Sequence, residues 1–295
     1  MTTAGFRVGR VPLERLPTLE LTRVLRRRNP MYGLVEVDVT VPRRRIQAHR
    51  ERTGEQLSFT AFIVACLGRA VGEHPTVAAF RSGRRLVVFD QVDVATMVEV
   101  EAEAGRFPLP YVVGDAGHKT VRAINDEIRG IQRGTALLQR TRALLRPLPY
   151  IPRPVRLLLW RLLARSVRLR QRLGGTVAVT SVGSFLGGPG WGLAPVAYPV
   201  TLMVGGIARR PVLRDGAIEE REHLCLTLVL DHEVVDGAPA ARFGARLREL
   251  IEAGAGLEAL EQEAKKARPA STRTPPAAGE PVADMAAAGT GVPAG

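Results

Sequence analysis

Lysine is nearly missing from this chain of 295 residues: Lys119, Lys265 and Lys266 are the only three, although lysine and arginine together number 42. The formal net charge of +13 is therefore carried by arginine. Such a bias can follow the base composition of a gene, so charge alone names no partner. Cysteine is equally scarce, and Cys66 and Cys225 both lie in apolar stretches without metal-ligand spacing. A disulfide framework and a zinc site are excluded on that reading, and a reducing compartment is expected. No run of 18 or more apolar residues is free of charge, and the stretch from Met1 to Arg10 lacks the apolar centre of a secretory leader. The expected location is the cytoplasm. Aromatic residues make up 5% of the chain, so its arginines have little aromatic interleaving and fit no standard nucleic-acid reading module. Acidic residues are absent between Glu127 and Asp215, while Arg140, Arg142, Arg146, Arg153, Arg156, Arg161, Arg165, Arg168, Arg170 and Arg172 crowd that interval.

What is present is an apolar content of 45%, enough for one large core. Val35, Val37, Val39 and Val41 alternate with polar residues, the period of a strand with one wet face, and Pro42 suits a first helical turn. Ser58 is placed to cap a helix that carries Phe62, Ile63, Cys66, Leu67 and Val71 and ends near His74-Pro75. Ser82-Gly83 reads as a turn between strands at Val77 to Phe80 and Leu86 to Phe89, followed by a strand from Val92 to Val100. Thr120 caps a helix to about Gln132, and the prolines at 147, 149, 152 and 154 forbid regular helix until Val155. Strands at Val177 to Thr180, Thr201 to Ala208 and Leu224 to Leu230 follow, with Asp215-Gly216 as a turn. Strands and helices mix without βαβ alternation, so the expected class is an α+β sandwich.

The strand ending at Leu230 runs into Asp231-His232-Glu233-Val234-Val235-Asp236-Gly237-Ala238, and the residues after it have helical spacing at Ala240, Phe243, Leu247, Leu250 and Ile251. A histidine at such a junction can be aimed into a cleft. Acyl transfer from a thioester needs a base for the incoming nucleophile, a donor for the oxyanion and an acid for the departing thiol. One histidine can be base and then acid. Thr180, Ser181 and Ser184, beside the Gly-rich stretch from Gly183 to Gly192, can supply the oxyanion donor. The bland alternatives are that Asp236 is only a helix cap, that the Gly-rich stretch is a plain connection, and that Thr180 is an ordinary strand residue. His49, His74, His118 and His223 join no constellation.

The run from Asp231 to Phe243 resembles the C-terminal signature of the catalytic domain of the dihydrolipoyl acyltransferases of 2-oxo-acid dehydrogenase complexes, a domain similar in fold to chloramphenicol acetyltransferase. The Glu36 to Thr40 strand, the Phe59 to Pro75 helix, Gly105 to Pro110, Gly174 to Gly183 and Gly205-Gly206 agree in order, and the resemblance spans Val11 to Leu260. It implies a two-layer α+β sandwich with a mixed sheet that forms trimers, able to assemble further. It implies that His232 is the general base, that Asp236 orders the loop and that Thr180 stands at the family's oxyanion-stabilising serine. Ser181, Gly183 and Gly237 are further oxyanion or loop candidates. Two departures are visible, since Thr180 replaces a serine and Glu233 the usual arginine. In the family the histidine and the hydroxyl come from different subunits.

The resulting expectation has three parts: an N-terminal arm over residues 1–30, a catalytic domain over 31–262 with a basic helical insertion at about 141–172, and a disordered Ala/Pro-rich tail over 263–295. No lipoyl or subunit-binding domain is recognised and no lysine stands in a lipoyl-like context, so the chain reads as free-standing, with a coenzyme A or carrier thioester as donor substrate, a small hydroxyl, amine or thiol acceptor, no metal and no covalent lipoyl group. The alternatives are an acyltransferase core that uses a lipoyl domain in trans, and an inactive scaffold or membrane adaptor. Within 155–172, Arg161, Arg165, Arg168 and Arg172 form a stripe at i, i+4, i+7 and i+11 on a leucine-rich helix, which suits an anionic membrane surface and membrane association or the grip of a phosphorylated ligand such as coenzyme A, with a plain solvated face as the bland alternative.

Overall fold

The protein is described by a computed structural model covering residues 9, 19–20, 29–102, 105–134, 136–183, 187–195 and 197–260. The expected tail, and Ser184, lie outside the described residues, as does most of the expected N-terminal arm.

The valine alternation forms β1 (Pro30–Asp38), where Val37 is fully buried. The strand ends three residues earlier than the alternation suggests. Asp38 accepts the backbone N–H of Thr40 at 2.9 Å and turns the chain into α1 (Thr40–Thr53). Ser58 caps α2 (Phe59–Glu73) by accepting from the N–H of Ala61 at 3.4 Å, and this helix is buried almost all round, as its apolar sequence requires. Gly68 lets α2 approach the backbone of Ala116, which any side chain at that position would strike.

Pro75 starts a short 3-10 turn, Pro75–Ala78, so Val77 is not in a strand as its β-branched side chain suggests. The following hairpin, β2 (Phe80–Ser82) with β3 (Arg85–Val87), turns at Gly83 and forms its own two-stranded sheet. Next come β4 (Val94–Ala102), β5 (Gly105–Val113) and α3 (Val121–Arg133), whose cap Thr120 accepts from Ala123 N–H at 3.1 Å. Helices α4 (Ala136–Leu145), α5 (Arg153–Arg165) and α6 (Val167–Gly174) fill the basic interval. The expected single helix over 155–172 is broken. Ser166 takes an extended conformation (φ −83°, ψ 100°) and caps α6 through Leu169 N–H, so the i, i+4, i+7, i+11 stripe is not continuous.

The chain finishes with β6 (Val177–Ser181), β7 (Val200–Arg214), β8 (Ala217–Asp231) and α7 (Gly237–Ala253). Asp215 (φ 49°) and Gly216 (φ 80°) are both left-handed, the turn that matches the twist of a two-residue hairpin. The main sheet has the order β1-β8-β7-β6-β4-β5, with β6 parallel to both β7 and β4 and all other pairs antiparallel. Helices α1, α2, α3 and α7 cover one face, where Leu202, Val204, Leu226, Leu228, Val177 and Val179 meet Phe62, Ile63, Ile124 and Phe243 in the core. This is the mixed-sheet, two-layer α+β sandwich that the sequence implies.

Candidate active site

Strand β8 is apolar from Leu224 to Leu230 because both faces are covered, and it delivers His232 to the end of the sheet. Four backbone bonds fix that end. The N–H of Asp231 donates to Pro199 O (3.0 Å), the N–H of His232 donates to Asn29 O (3.0 Å), and Asp231 O accepts from Val234 and Val235 (2.9 and 3.2 Å). The Asp231 side chain is buried and its Oδ1 accepts from Glu233 N–H at 3.2 Å, closing the tight turn from within. With the backbone held, the His232 side chain stays half exposed at 52%. Its Nδ1 stands 3.8 Å from Asp236 Oδ1, beyond hydrogen-bond distance but within ion-pair reach.

Asp236 is 88% exposed and occupies the N-cap position of α7 with no side-chain cap bond. The helix-cap role is thus unfilled, and the carboxylate faces the imidazole instead. Gly237 opens α7 with free space around it. Glu233, where the resemblance calls for arginine, reaches Arg81 of the β2–β3 hairpin at 3.2 Å. No single-sequence signal could have found that partner, 152 residues away. Nor did it reveal the clamps at Asn29 and Pro199, which use carbonyl groups indifferent to residue type.

Thr180 lies near the end of β6, half-buried and level with Met203, while its neighbour Ser181 is exposed. Partners across the sheet share a face, so Thr180, Met203, Thr227, Leu34 and Tyr32 belong to the face turned away from the four helices. The Gly-rich stretch lies over that face. Tyr32 OH donates to Ala194 O (3.1 Å), Trp191 Nε1 donates to Val35 O (3.4 Å), and the N–H of Gly206 donates to Gly190 O (3.0 Å). A Cβ at Gly206 would run into Gly188 O, one at Gly205 into Gly190 O, and one at Gly183 into Gly205 O. The glycines therefore serve backbone-to-backbone packing at the β7 bulge between Val204 and Ile207. Gly183 is tied to this packing. Next to Gly174, burial pushes the Tyr198 hydroxyl above its ordinary range, with Arg170 pulling the other way.

Within one chain His232 and Thr180 do not meet. They stand two strands and five residues apart in register, roughly 15–20 Å at ordinary strand spacing. Among the described residues no group of His, Cys, Asp and Glu could hold a metal ion, and no helix is long and apolar enough to cross a membrane. A cleft of about 640 Å³ lies elsewhere, lined by Arg43, Arg44, Arg50, Arg129, Phe59 and Glu222 among others.

Residues 149–258 match the family model for the 2-oxoacid dehydrogenases acyltransferase catalytic domain. Over 231 residues the chain is 28% identical to the lipoamide acyltransferase component of the branched-chain alpha-keto acid dehydrogenase complex of Bacillus subtilis, covering 75% of this chain and 46% of that protein. Over 91 residues it is 35% identical to the dihydrolipoyllysine-residue acetyltransferase component of the pyruvate dehydrogenase complex of Acholeplasma laidlawii, covering 30% of this chain and 16% of that one. The chain thus spans less than half the length of these curated relatives. Among solved structures, a probable dihydrolipoamide acetyltransferase of Listeria monocytogenes superposes with a TM-score of 0.63 at 20% identity, covering 85% of this chain and 95% of that one. The dihydrolipoamide acetyltransferase of Azotobacter vinelandii, in which the roles of a serine, a histidine and an asparagine in the catalytic mechanism have been investigated, matches equally at 0.63 and 20%, covering 86% and 94%. Residues 149–258 thus resemble the 2-oxoacid dehydrogenase acyltransferase catalytic domain, and the chain shares the fold of the solved acetyltransferases.

Proposed function

We propose that the protein transfers an acyl group from a thioester of coenzyme A or of a carrier to a small hydroxyl, amine or thiol acceptor, with His232 as general base and no acyl-enzyme. The observation that carries this reading is the pose of His232: its backbone is clamped at Asn29 and its side chain is half exposed, with Asp236 beside Nδ1. A proton on Nδ1 facing Asp236 leaves the Nε2 lone pair free. Nε2 takes the proton of the acceptor as its heteroatom attacks the thioester carbonyl. The carbonyl electrons move to oxygen, where a hydroxyl donor holds the oxyanion. As the tetrahedral intermediate collapses, the C–S bond breaks and the departing thiolate takes the proton back from the imidazolium. In the Azotobacter vinelandii relative the investigated asparagine follows the histidine by four residues, the same spacing as His232 and Asp236.

The hydroxyl is assigned to Thr180 of a neighbouring subunit in a trimer. Two observations support this: the distance between His232 and Thr180 within one chain, and the apolar character of the face that carries Thr180. On that face Tyr32, Leu34 and Met97 remain 39%, 52% and 47% exposed, beside Trp191 at 39%. Exposed apolar area of this kind marks an interface. Ser181, exposed at the strand end, is the alternative donor.

The test is thiol release from a panel of acyl thioesters with wild type and His232→Ala. A fall in kcat on the order of a thousandfold is expected from loss of a general base, and undiminished turnover would overturn the mechanism. A second reading, in which the acyl group arrives on a lipoyl domain carried by another chain, is favoured by relatives that are components of dehydrogenase complexes. Retention of a lipoylated protein on the immobilised chain, with acyl transfer to or from it, distinguishes this donor from free coenzyme A.

A further inference from the structure

Helix α5 is amphipathic in the reverse of the usual sense. Its inward face carries charge: Arg156 is 12% exposed and grips Glu20, itself 7% exposed, with Nη2 to Oε1 at 2.8 Å and Nε to Oε1 at 3.0 Å. Arg156 also donates to Leu148 O and Ile151 O (3.1 and 2.7 Å), and Trp160 Nε1 donates to Glu20 Oε2 at 3.0 Å. These bonds fix the rotation of the helix about its axis. The consequence is an outward ridge of Val155, Leu158, Leu159 and Leu162, spaced i, i+3, i+4, i+7 and exposed at 46%, 54%, 51% and 54%.

Arginines flank the ridge. Arg161 and Arg165 are exposed on α5, and on α6 exposed Arg168 and Arg172 alternate with Leu169 and Leu173, exposed at 41% and 65%. No acidic residue occurs in the 87 positions from 128 to 214, so nothing local in the sequence offsets this charge. An isolated exposed leucine is ordinary, but six exposed aliphatic side chains on two adjoining helices, interspersed with exposed arginines, are not.

We infer that α5 and α6 dock on an anionic phospholipid surface, with the aliphatic ridge in the acyl-chain boundary and the arginines against the headgroup phosphates. Charge complementarity selects this occupant, since a positive rim around aliphatic side chains meets phosphate above and hydrocarbon below only at such an interface. A second copy apposed through the same ridge would set arginine against arginine. The docked segment is coupled to the catalytic end of the sheet. Arg170 Nη2 donates to Ala197 O (2.8 Å), and Pro199 O accepts from Asp231 N–H (3.0 Å), so α6 is linked to the His232 turn through residues 197–199.

The experiment is sedimentation of the full chain with vesicles of phosphatidylcholine alone or mixed with phosphatidylglycerol, for wild type, for Leu158→Ser with Leu162→Ser, and for Arg161→Gln with Arg165→Gln. Binding only to the anionic vesicles is expected, weakened on the order of thirtyfold in the arginine variant and comparably in the leucine variant, at unchanged oligomeric mass. All four side chains are exposed, so circular dichroism should be unchanged, and the arginine pair decides the matter if the leucine pair misfolds. The inference is overturned if the chain fails to sediment with anionic vesicles, if the leucine variant binds as tightly as wild type, or if that variant loses oligomeric mass, which would assign the ridge to a contact between copies. None of these readouts depends on acyl transfer.

Discussion

His232 is held by its backbone and left free by its side chain, and the two facts divide the effects of substitution around it. Asp236 is 88% exposed at 3.8 Å, so the pair is screened and contributes at most about 1 kcal/mol. Asp236→Ala should therefore lower kcat only a few-fold, against the loss on the order of a thousandfold expected for His232→Ala, a contrast that steady-state kinetics resolves. Thr180→Ser should keep most activity, whereas Thr180→Val removes the donor and should cost kcat on the order of a hundredfold or more; if the valine variant turns over normally, Ser181 is the donor. Glu20 offers a pH test at the same scale. The hydrogen bond from Arg156 holds its carboxyl below the ordinary value of 4.5, against the opposing effect of burial. A lowered value in the folded state stabilises the protein above 4.5, and that stabilisation is lost as pH falls through the folded value. Proteolytic cutting between 148 and 174 should thus rise on acidification below 4.5 in the wild type, while Glu20→Gln should be cut readily at neutral pH.

The elements differ in how openly the sequence declares them. Caps at Ser58 and Thr120, the turn at Asp215-Gly216 and the apolar run into His232 are local chemistry, and each is found where its residues place it. Val77 misleads because Pro75 imposes a 3-10 turn on a β-branched neighbour, and the 155–172 helix misleads because Ser166 has an equal claim as interior residue and as cap. The long-range parts were illegible for a different reason. The grip of Glu20 on Arg156, the meeting of Glu233 with Arg81 and the packing of Gly188 and Gly190 on Gly205 and Gly206 depend on pairings that no local spacing encodes. For the catalytic candidates, His232, Asp236 and Thr180 were legible as types at a strand end, but their separation across the sheet emerges only from register. The glycine contacts make a further prediction. Gly206→Ala should cost about 1–3 kcal/mol or more in urea unfolding, since the methyl group meets backbone that cannot yield.

For the whole molecule, a site shared between subunits makes a prediction that a site within one chain does not. His232→Ala and Thr180→Val protein, each inactive alone, should regain part of the wild-type activity after being unfolded and refolded together, because some interfaces then unite an intact histidine with an intact threonine. No recovery would place both groups in one chain or remove Thr180 from the chemistry. A shared site also needs its apolar face covered, and the exposures of Tyr32, Leu34 and Met97 are those of a protomer described alone.

The pairing of β1 with β8 joins Pro30 to Asp231, contacts 201 residues apart in the sequence, whereas β7 and β8 close around a two-residue turn. Distant contacts form late because their loop must be closed before they give anything in return. The Asn29 carbonyl that clamps His232 sits at the very end of that late strand. During refolding, then, the sheet should register by circular dichroism before the catalytic turn is set, and enzymatic competence should be the last property to return.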